Sequence, residues 1–377
     1  MKKLLFLCLW MLSLAVQAND GVYFVSGNQL FPAKETDIAI TKEVLTISLQ
    51  DDGYALVDVQ YEFMNRSQPK SVLMGFEADR PYNAGETLHK DGAHPQIFDF
   101  TVVMNGEVLR YKTAVVESMS EGESDFKPID LNKWKVQENA DDGNEDGLYN
   151  ASTKQYMQYA YSYYFTAHFK KGINRIHHTY RFSMSSAVGT SFIVNYWLKP
   201  AMRWANRQID DFTLRIKAEN TMKYFFIADS VFQTKPFKVV EGDGKVRKTK
   251  HYDSDRTEIV LRNGVVEWHQ KNFKPTDNLN IVSCDSYMTF DEELPFGSFY
   301  DRSEGYMIYV MYHKDADPRI IRNLPYASRG YVFKDKYLQK YFSRFFWYMP
   351  NPDWEPSTVD FTPSERGYLK NDVPKID

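Results

Sequence analysis

Cysteine is almost absent. The 377 residues contain two, Cys8 and Cys284, so the chain has no disulfide framework and must hold together by packing. Long apolar runs are also scarce. The one near the start, Leu4 to Val16, is shorter than the roughly 18–20 residues that cross a bilayer. No strong charge of one sign exists either: 46 Lys and Arg face 50 Asp and Glu. No strongly basic domain is present, which argues against nucleic acid as a partner. The common catalytic signatures are missing as well: there is no nucleophile elbow, P-loop, dinucleotide fingerprint or zinc-protease helix.

What is present starts with an export signal. Lys2 and Lys3 precede the apolar run, and Val16-Gln17-Ala18 supplies the residue types a signal peptidase reads. Residues 1–18 are therefore expected to be removed, with Asn19-Asp20 opening the mature chain. A retained anchor is the alternative, and the shortness of the run argues against it. Leu5-Phe6-Leu7-Cys8 is a poor lipoprotein acceptor. Removal takes away two lysines and no acid, so the formal charge of −4 becomes −6. Periplasmic, surface or secreted placement follows, with no membrane-spanning segment after cleavage. Cys284 is then the lone thiol, expected to be a small buried residue of a strand.

Aromatics are abundant: 26 Tyr, 26 Phe and 7 Trp, types that favour pleated, half-buried surfaces. Ala55 to Phe63 alternates, with Val57, Val59, Tyr61 and Phe63 on one face and Asp58, Gln60 and Glu62 on the other. That is an antiparallel strand with one wet face. Asp51-Asp52-Gly53 and Arg262-Asn263-Gly264 read as hairpin turns, and Asn105-Gly106 and Lys171-Gly172-Ile173-Asn174 as turns, between further strands. The expected body, residues 19–300, is an antiparallel β-sandwich of one or two modules. Residues 117–150 interrupt it as an acidic surface insertion; 117–147 hold ten acids and three lysines.

Residues 301–377 change character. Pro318 to Arg329 and Asp335 to Tyr348 carry helical spacing, Asp335 is placed to cap the second helix, and Thr362-Pro363-Ser364-Glu365 opens a third. The whole is mainly β with a small C-terminal α-helical domain.

Three constellations are candidates for chemistry. Asp142, Asn144 and Asp146 place oxygen ligands at alternating positions, the spacing of a Ca²⁺ loop, but Thr153 stands where the closing carboxylate belongs; a solvated acidic loop is the alternative. His168, His177 and His178 could approach one another, yet consecutive residues of a strand point to opposite faces, so structural histidines are expected. In residues 313–344, eight Lys or Arg and three Asp interleave with aromatics. Arg329, Lys340, Tyr326, Tyr331 and Trp347 are the candidate binding residues, since aromatic faces stack on sugars and basic groups meet anionic polymers. A small domain must also fill its core, which competes for the same aromatics.

Tyr326-Ala327-Ser328-Arg329-Gly330-Tyr331-Val332-Phe333, then Leu338-Gln339-Lys340-Tyr341-Phe342, then Trp347-Tyr348-Met349-Pro350, resembles the YARHG domain over about residues 316–372. The resemblance implies a small extracytoplasmic bacterial module with no established activity. Ser328 stands at the motif's Arg position and Arg329 at its His position, while Leu324-Pro325 replaces an acidic-plus-apolar pair. A role carried by that His does not transfer. The body resembles an exported bacterial family of unknown function in Asn19-Asp20, Val57 to Asn65, Phe169-Lys170-Lys171-Gly172 with His178-Thr179-Tyr180, and Tyr196-Trp197-Leu198-Lys199-Pro200 before Trp204. That implies a β-rich, non-enzymatic body. The expected function is a non-catalytic binding or scaffold protein of the cell envelope, its partner an envelope polysaccharide or a protein. The alternatives are an envelope glycan-active enzyme and a calcium-dependent structural or adhesion protein.

Overall fold

The computed structural model describes residues 26–32, 37–79, 89, 91–117, 128–137, 147–157, 159–187, 190–251, 254–284, 287, 296–300, 308–313, 316–356, 361, 363–370 and 375–376. The first seven strands are β1 (Ser26–Pro32), β2 (Ile38–Leu49), β3 (Tyr54–Asn65), β4 (Lys70–Asp79), β5 (Ile97–Met104), β6 (Glu107–Val108) and β7 (Lys112–Glu117). The next seven are β8 (Lys135–Gln137), β9 (Gly147–Asn150), β10 (Gln155–Met157), β11 (Tyr159–Phe169), β12 (Gly172–Ser183), β13 (Ser185–Ala187) and β14 (Thr190–Trp197). There follow β15 (Ile209–Ala218), β16 (Lys223–Ile227), β17 (Lys238–His251), β18 (Ser254–Phe273), β19 (Leu279–Cys284), β20 (Phe296–Tyr300) and β21 (Ile308–His313). Three helices, α1 (Pro318–Ala327), α2 (Lys336–Phe342) and α3 (Pro363–Lys370), precede the short β22 (Lys375–Ile376).

The alternation in β3 is realised. Ala55, Val57, Val59, Tyr61 and Phe63 are buried, and Asp58, Gln60 and Glu62 face outward. Sixteen strands join in one sheet, in the order β6-β5-β12-β3-β2-β15-β18-β16-β19-β14-β1-β4-β11-β7, with β13 on β14 and β17 on β18. Strands far apart in that order meet face to face. Phe76 of β4 lies 5.3 Å from Phe100 of β5 and 4.8 Å from Tyr180 of β12, and the Tyr61 and Tyr196 hydroxyls are 3.4 Å apart. The sheet thus doubles over on itself, and one hydrophobic core runs from Ile38 to Ile281.

Three expectations need correction. The sheet is mixed, since β1 pairs with β14 and β2 with β15 in parallel; these partners are distant in sequence, so no hairpin sets their direction. Arg262-Asn263-Gly264 is not a hairpin turn but a bend within the 20-residue β18. Asn263 takes φ +45° there, the residues beyond it pair with β15, and those before it pair with β16. Gly242 on the neighbouring β17 lies so close that a Cβ would fall 1.8 Å from the Asn263 carbonyl oxygen. The acidic insertion, finally, is partly folded. Strands β8, β9 and β10 make a small sheet, and Ile129, Leu131 and Trp134 pack on Val115, Leu148, Tyr159 and Tyr161. Apolar residues scattered among the acids supply that anchor.

The C-terminal helices are shorter than their spacing suggests. α2 ends at Phe342, and Phe345, Trp347 and Tyr348 enter the core from turns beyond it. Asp335 caps α2 by accepting from the Tyr337 and Leu338 amides at 2.9 and 3.1 Å, a bond that also holds its carboxyl below the usual range. Residues 296–376 also hold the three-stranded sheet β20-β21-β22, so the segment is not purely helical. Among the described residues no helix is long and apolar enough to cross a membrane.

Candidate binding surface on the C-terminal domain

The five residues 326–330 are engaged in holding the domain together. Tyr326 is half-buried, its ring 5.9 Å from Tyr331, 6.2 Å from Trp354 and 5.3 Å from Phe361. Ala327 is buried. Ser328 caps α1, its hydroxyl donating to the Pro325 carbonyl at 3.0 Å. Arg329 grips Glu365 of α3 with two parallel bonds, donates to the Pro325 carbonyl at 2.9 Å, and lies over the Phe361 ring. Gly330 has φ +79°, and a Cβ there would stand 2.3 Å from the Met349 carbonyl oxygen; only glycine fits that position without displacing backbone.

The other named residues divide. Tyr331 is half-buried, and its carbonyl accepts from the Tyr348 hydroxyl at 2.7 Å. Trp347 is buried and stacks on Phe345 at 5.5 Å. Its indole nitrogen has no hydrogen-bond partner. Lys340 is exposed. The structure therefore places Arg329, Tyr326, Tyr331 and Trp347 in the framework of the domain and leaves Lys340 on its surface.

Lys340 has further exposed residues near it in sequence, and Arg344 among them lies over the Tyr341 and Phe345 rings. Lys334, Lys336 and Arg344 are exposed, as is Tyr337 at 45%. Among the described residues none of these lysines, nor Arg344, has a carboxylate partner. Arg319 lies over the Tyr337 ring at 5.1 Å and is paired with Asp335. Lys336 and Lys340 are four apart on α2, so their charges repel. Lys336 also sits in the first turn, which carries no acid, against the helix dipole. The Asp335 cap and the place of Lys340 in the last turn offset these costs, and the exposed cations suit an external anion. The local charge excess showed in the sequence; which cations stay unpaired did not.

This surface is carried on a fixed base. From β18, Arg262 donates to the Met349 and Pro350 carbonyls at 3.3 and 2.9 Å. From β17, Lys245 donates to the Tyr348 carbonyl at 2.6 Å, and burial lowers its pKa. The Arg247 guanidinium lies 4.5 Å from the Phe346 ring centre and also binds the buried Glu258. Burial pushes the Glu258 carboxyl up, but the Arg247 and Arg256 guanidiniums outweigh it and hold it low. Tyr224 and Tyr287 stack beside this seam at 4.7 Å.

The histidines do not converge. His168 bonds Ser71 at 2.7 Å and His177 bonds Asp58 at 3.0 Å. His178 is fully buried among Tyr61, Phe76, Phe100 and Tyr180, with neither ring nitrogen hydrogen-bonded. It is structural but not satisfied, and burial pushes its pKa down to about 3, with His177 adding to the effect. Cys284 is half-buried and makes no disulfide. Among the described residues no three His, Cys, Asp or Glu side chains gather to hold a metal. Asp142, Asn144 and Asp146 lie outside the described residues, as do residues 1–18.

Comparison with curated proteins found no match. Among solved structures, a Legionella pneumophila protein described as a candidate nutrient binding protein shares the fold at a TM-score of 0.52 and 16% identity, over 94% of this chain and 99% of that one. An M1 zinc metallopeptidase from Deinococcus radiodurans aligns with a TM-score of 0.27 and 10% identity, over 86% of this chain and 56% of that one; a score that low does not establish a common fold. Residues 313–371 match the model of the YARHG domain, a domain typical of extracytoplasmic proteins, and this C-terminal part of the chain is a YARHG domain.

Proposed function

We propose that the protein is an exported, non-catalytic binding protein of the bacterial envelope whose YARHG domain presents a basic, aromatic-bearing face to an anionic envelope glycan. One observation carries the reading: among the described residues Lys334, Lys336, Lys340 and Arg344 are exposed and have no carboxylate partner, and Tyr337 is exposed as well. Unpaired cations meet anionic groups through charge-assisted hydrogen bonds, and a neighbouring aromatic face stacks on a sugar ring. The Legionella neighbour, described as a candidate nutrient binding protein, supports a binding role for this chain. Export rests on residues 1–18 as a cleaved signal.

Sedimentation with purified peptidoglycan tests the reading. The protein is expected in the pellet at low ionic strength and in the supernatant at high salt, because exposed charges are screened. Protein that stays in the supernatant at low salt ends the glycan reading. Release of reducing sugar during the incubation would favour the enzyme alternative instead.

A further inference from the structure

A second surface lies on the sandwich itself. The pairing register puts Lys42, Glu62 and Arg175 in one row across β2, β3 and β12, and Val44, Gln60 and His177 in the next. A β-bulge between Ile40 and Lys42 breaks the regular ladder at the edge of these rows. These six residues, with Tyr61 and Ile176, line an open groove of about 320 Å³, at the small end of the roughly 300–1,000 Å³ range of small-molecule sites.

Internal pairing uses only part of the groove's hydrogen-bonding capacity. Arg175 Nε donates to Glu62 Oε1 at 3.0 Å, His177 Nε2 bonds Asp58 Oδ2 at 3.0 Å, and Gln60 Nε2 donates to Asp58 Oδ1 at 3.3 Å. These bonds leave the two Nη groups of Arg175, the Lys42 ammonium, Glu62 Oε2 and the Gln60 carbonyl for a ligand. Donors thus flank an acceptor in the first row, Lys42 and Arg175 about Glu62, and Gln60 offers both in the second. Lys42 and Arg175 are balanced by Glu62 and Asp58, so a free anion or cation that gained one partner would be opposed by its neighbour. Apolar ligands lack a matching wall, because Tyr61 and Ile176, which also line the groove, are buried in the core and leave Val44 as its one part-exposed apolar side chain.

We propose that this groove binds a neutral, polyhydroxylated ligand, a single sugar ring. Each hydroxyl both donates and accepts, which suits donors set beside acceptors, and the ring's C–H face would rest on Val44. The site differs in place and in ligand charge from the basic face of the YARHG domain, and neither proposal depends on the other.

Saturation-transfer NMR on the purified protein with glucose, galactose and N-acetylglucosamine, each at millimolar concentration, tests it. Transfer to at least one sugar is expected. It should be lost in Gln60→Ala, which removes a central partner, and in Val44→Arg, which fills the groove. Both side chains face outward, and unchanged near-UV dichroism would verify that the variants fold. Transfer should persist in the double variant Lys336→Glu, Lys340→Glu. No transfer to any of the three sugars overturns the proposal, and so does transfer that survives in either groove variant.

Discussion

Arg329 Nη1 lies 2.6 Å from Glu365 Oε1, and Arg329 Nη2 lies 2.9 Å from Glu365 Oε2. This planar fork ties the end of α1 to α3, with both side chains largely out of solvent. Hydrogen bonds of this kind to charged groups contribute about 1.5–3 kcal/mol. Arg329→Ala is accordingly expected to destabilise the protein by about 2 kcal/mol in thermal or urea unfolding. Arg329→Lys should recover less than half of that, because an ammonium cannot reproduce the fork. Peptidoglycan sedimentation by folded Arg329→Ala should match the wild type, separating a framework residue from a contact residue.

Gly330 makes a sharper case. A methyl group there meets the Met349 carbonyl 2.3 Å away while the backbone stays at φ +79°. Strained backbone of this type costs about 1–3 kcal/mol, and the 349–351 segment would also have to move away from Arg262. Gly330→Ala should therefore lower the urea midpoint more than Arg329→Ala does. An equal or higher midpoint would show that the close approach is not rigid.

His178 sets an acid limit. Its ring is buried and its pKa is pushed from 6.5 down to about 3, so the folded state holds it neutral where the unfolded state binds a proton. Stability from this site is complete above about pH 6.5 and is lost as pH falls toward 3. The slope approaches roughly 1.4 kcal/mol per pH unit in that window. His178→Phe keeps the aromatic contacts and removes two nitrogens that have no hydrogen-bond partner. Its stability at neutral pH should be within about 1 kcal/mol of the wild type or higher, with a flatter profile between pH 6 and 3. An unchanged acid slope, measured by denaturation across that range, would assign the sensitivity elsewhere.

Export has a direct chemical readout. Expressed in a bacterium, the protein should be recovered outside the cytoplasm with Asn19 as its first residue, shown by N-terminal sequencing or intact mass. Recovery from the cytosol with Met1 in place would remove the envelope setting.

Much of the architecture was legible. The period-two burial of β3 and the Asp335 cap follow from local residue pattern, which needs no knowledge of distant partners. The bend at Asn263 was misread because a residue that tolerates positive φ serves a hairpin and a kinked strand equally well. Trp347 and Tyr331 were ambiguous for a different reason: in a small domain the aromatics that could contact a ligand are the same ones available to fill the core. The groove at Gln60 was invisible, since it exists only through the register of β3 against β12, strands more than a hundred residues apart at Glu62 and Arg175. Unpaired cations are likewise a property of packing. Arg329 and Lys340 contribute equally to local charge, yet one is committed to Glu365 and the other is exposed.

That contrast offers the most direct trial of the binding role. The double variant Lys336→Glu, Lys340→Glu reverses two exposed charges, and the spacing on α2 leaves the core untouched. Its affinity for purified peptidoglycan at low ionic strength should fall at least tenfold against the wild type, with unfolding unchanged. Wild-type affinity in the folded double variant would contradict the assignment of this face to an anionic glycan.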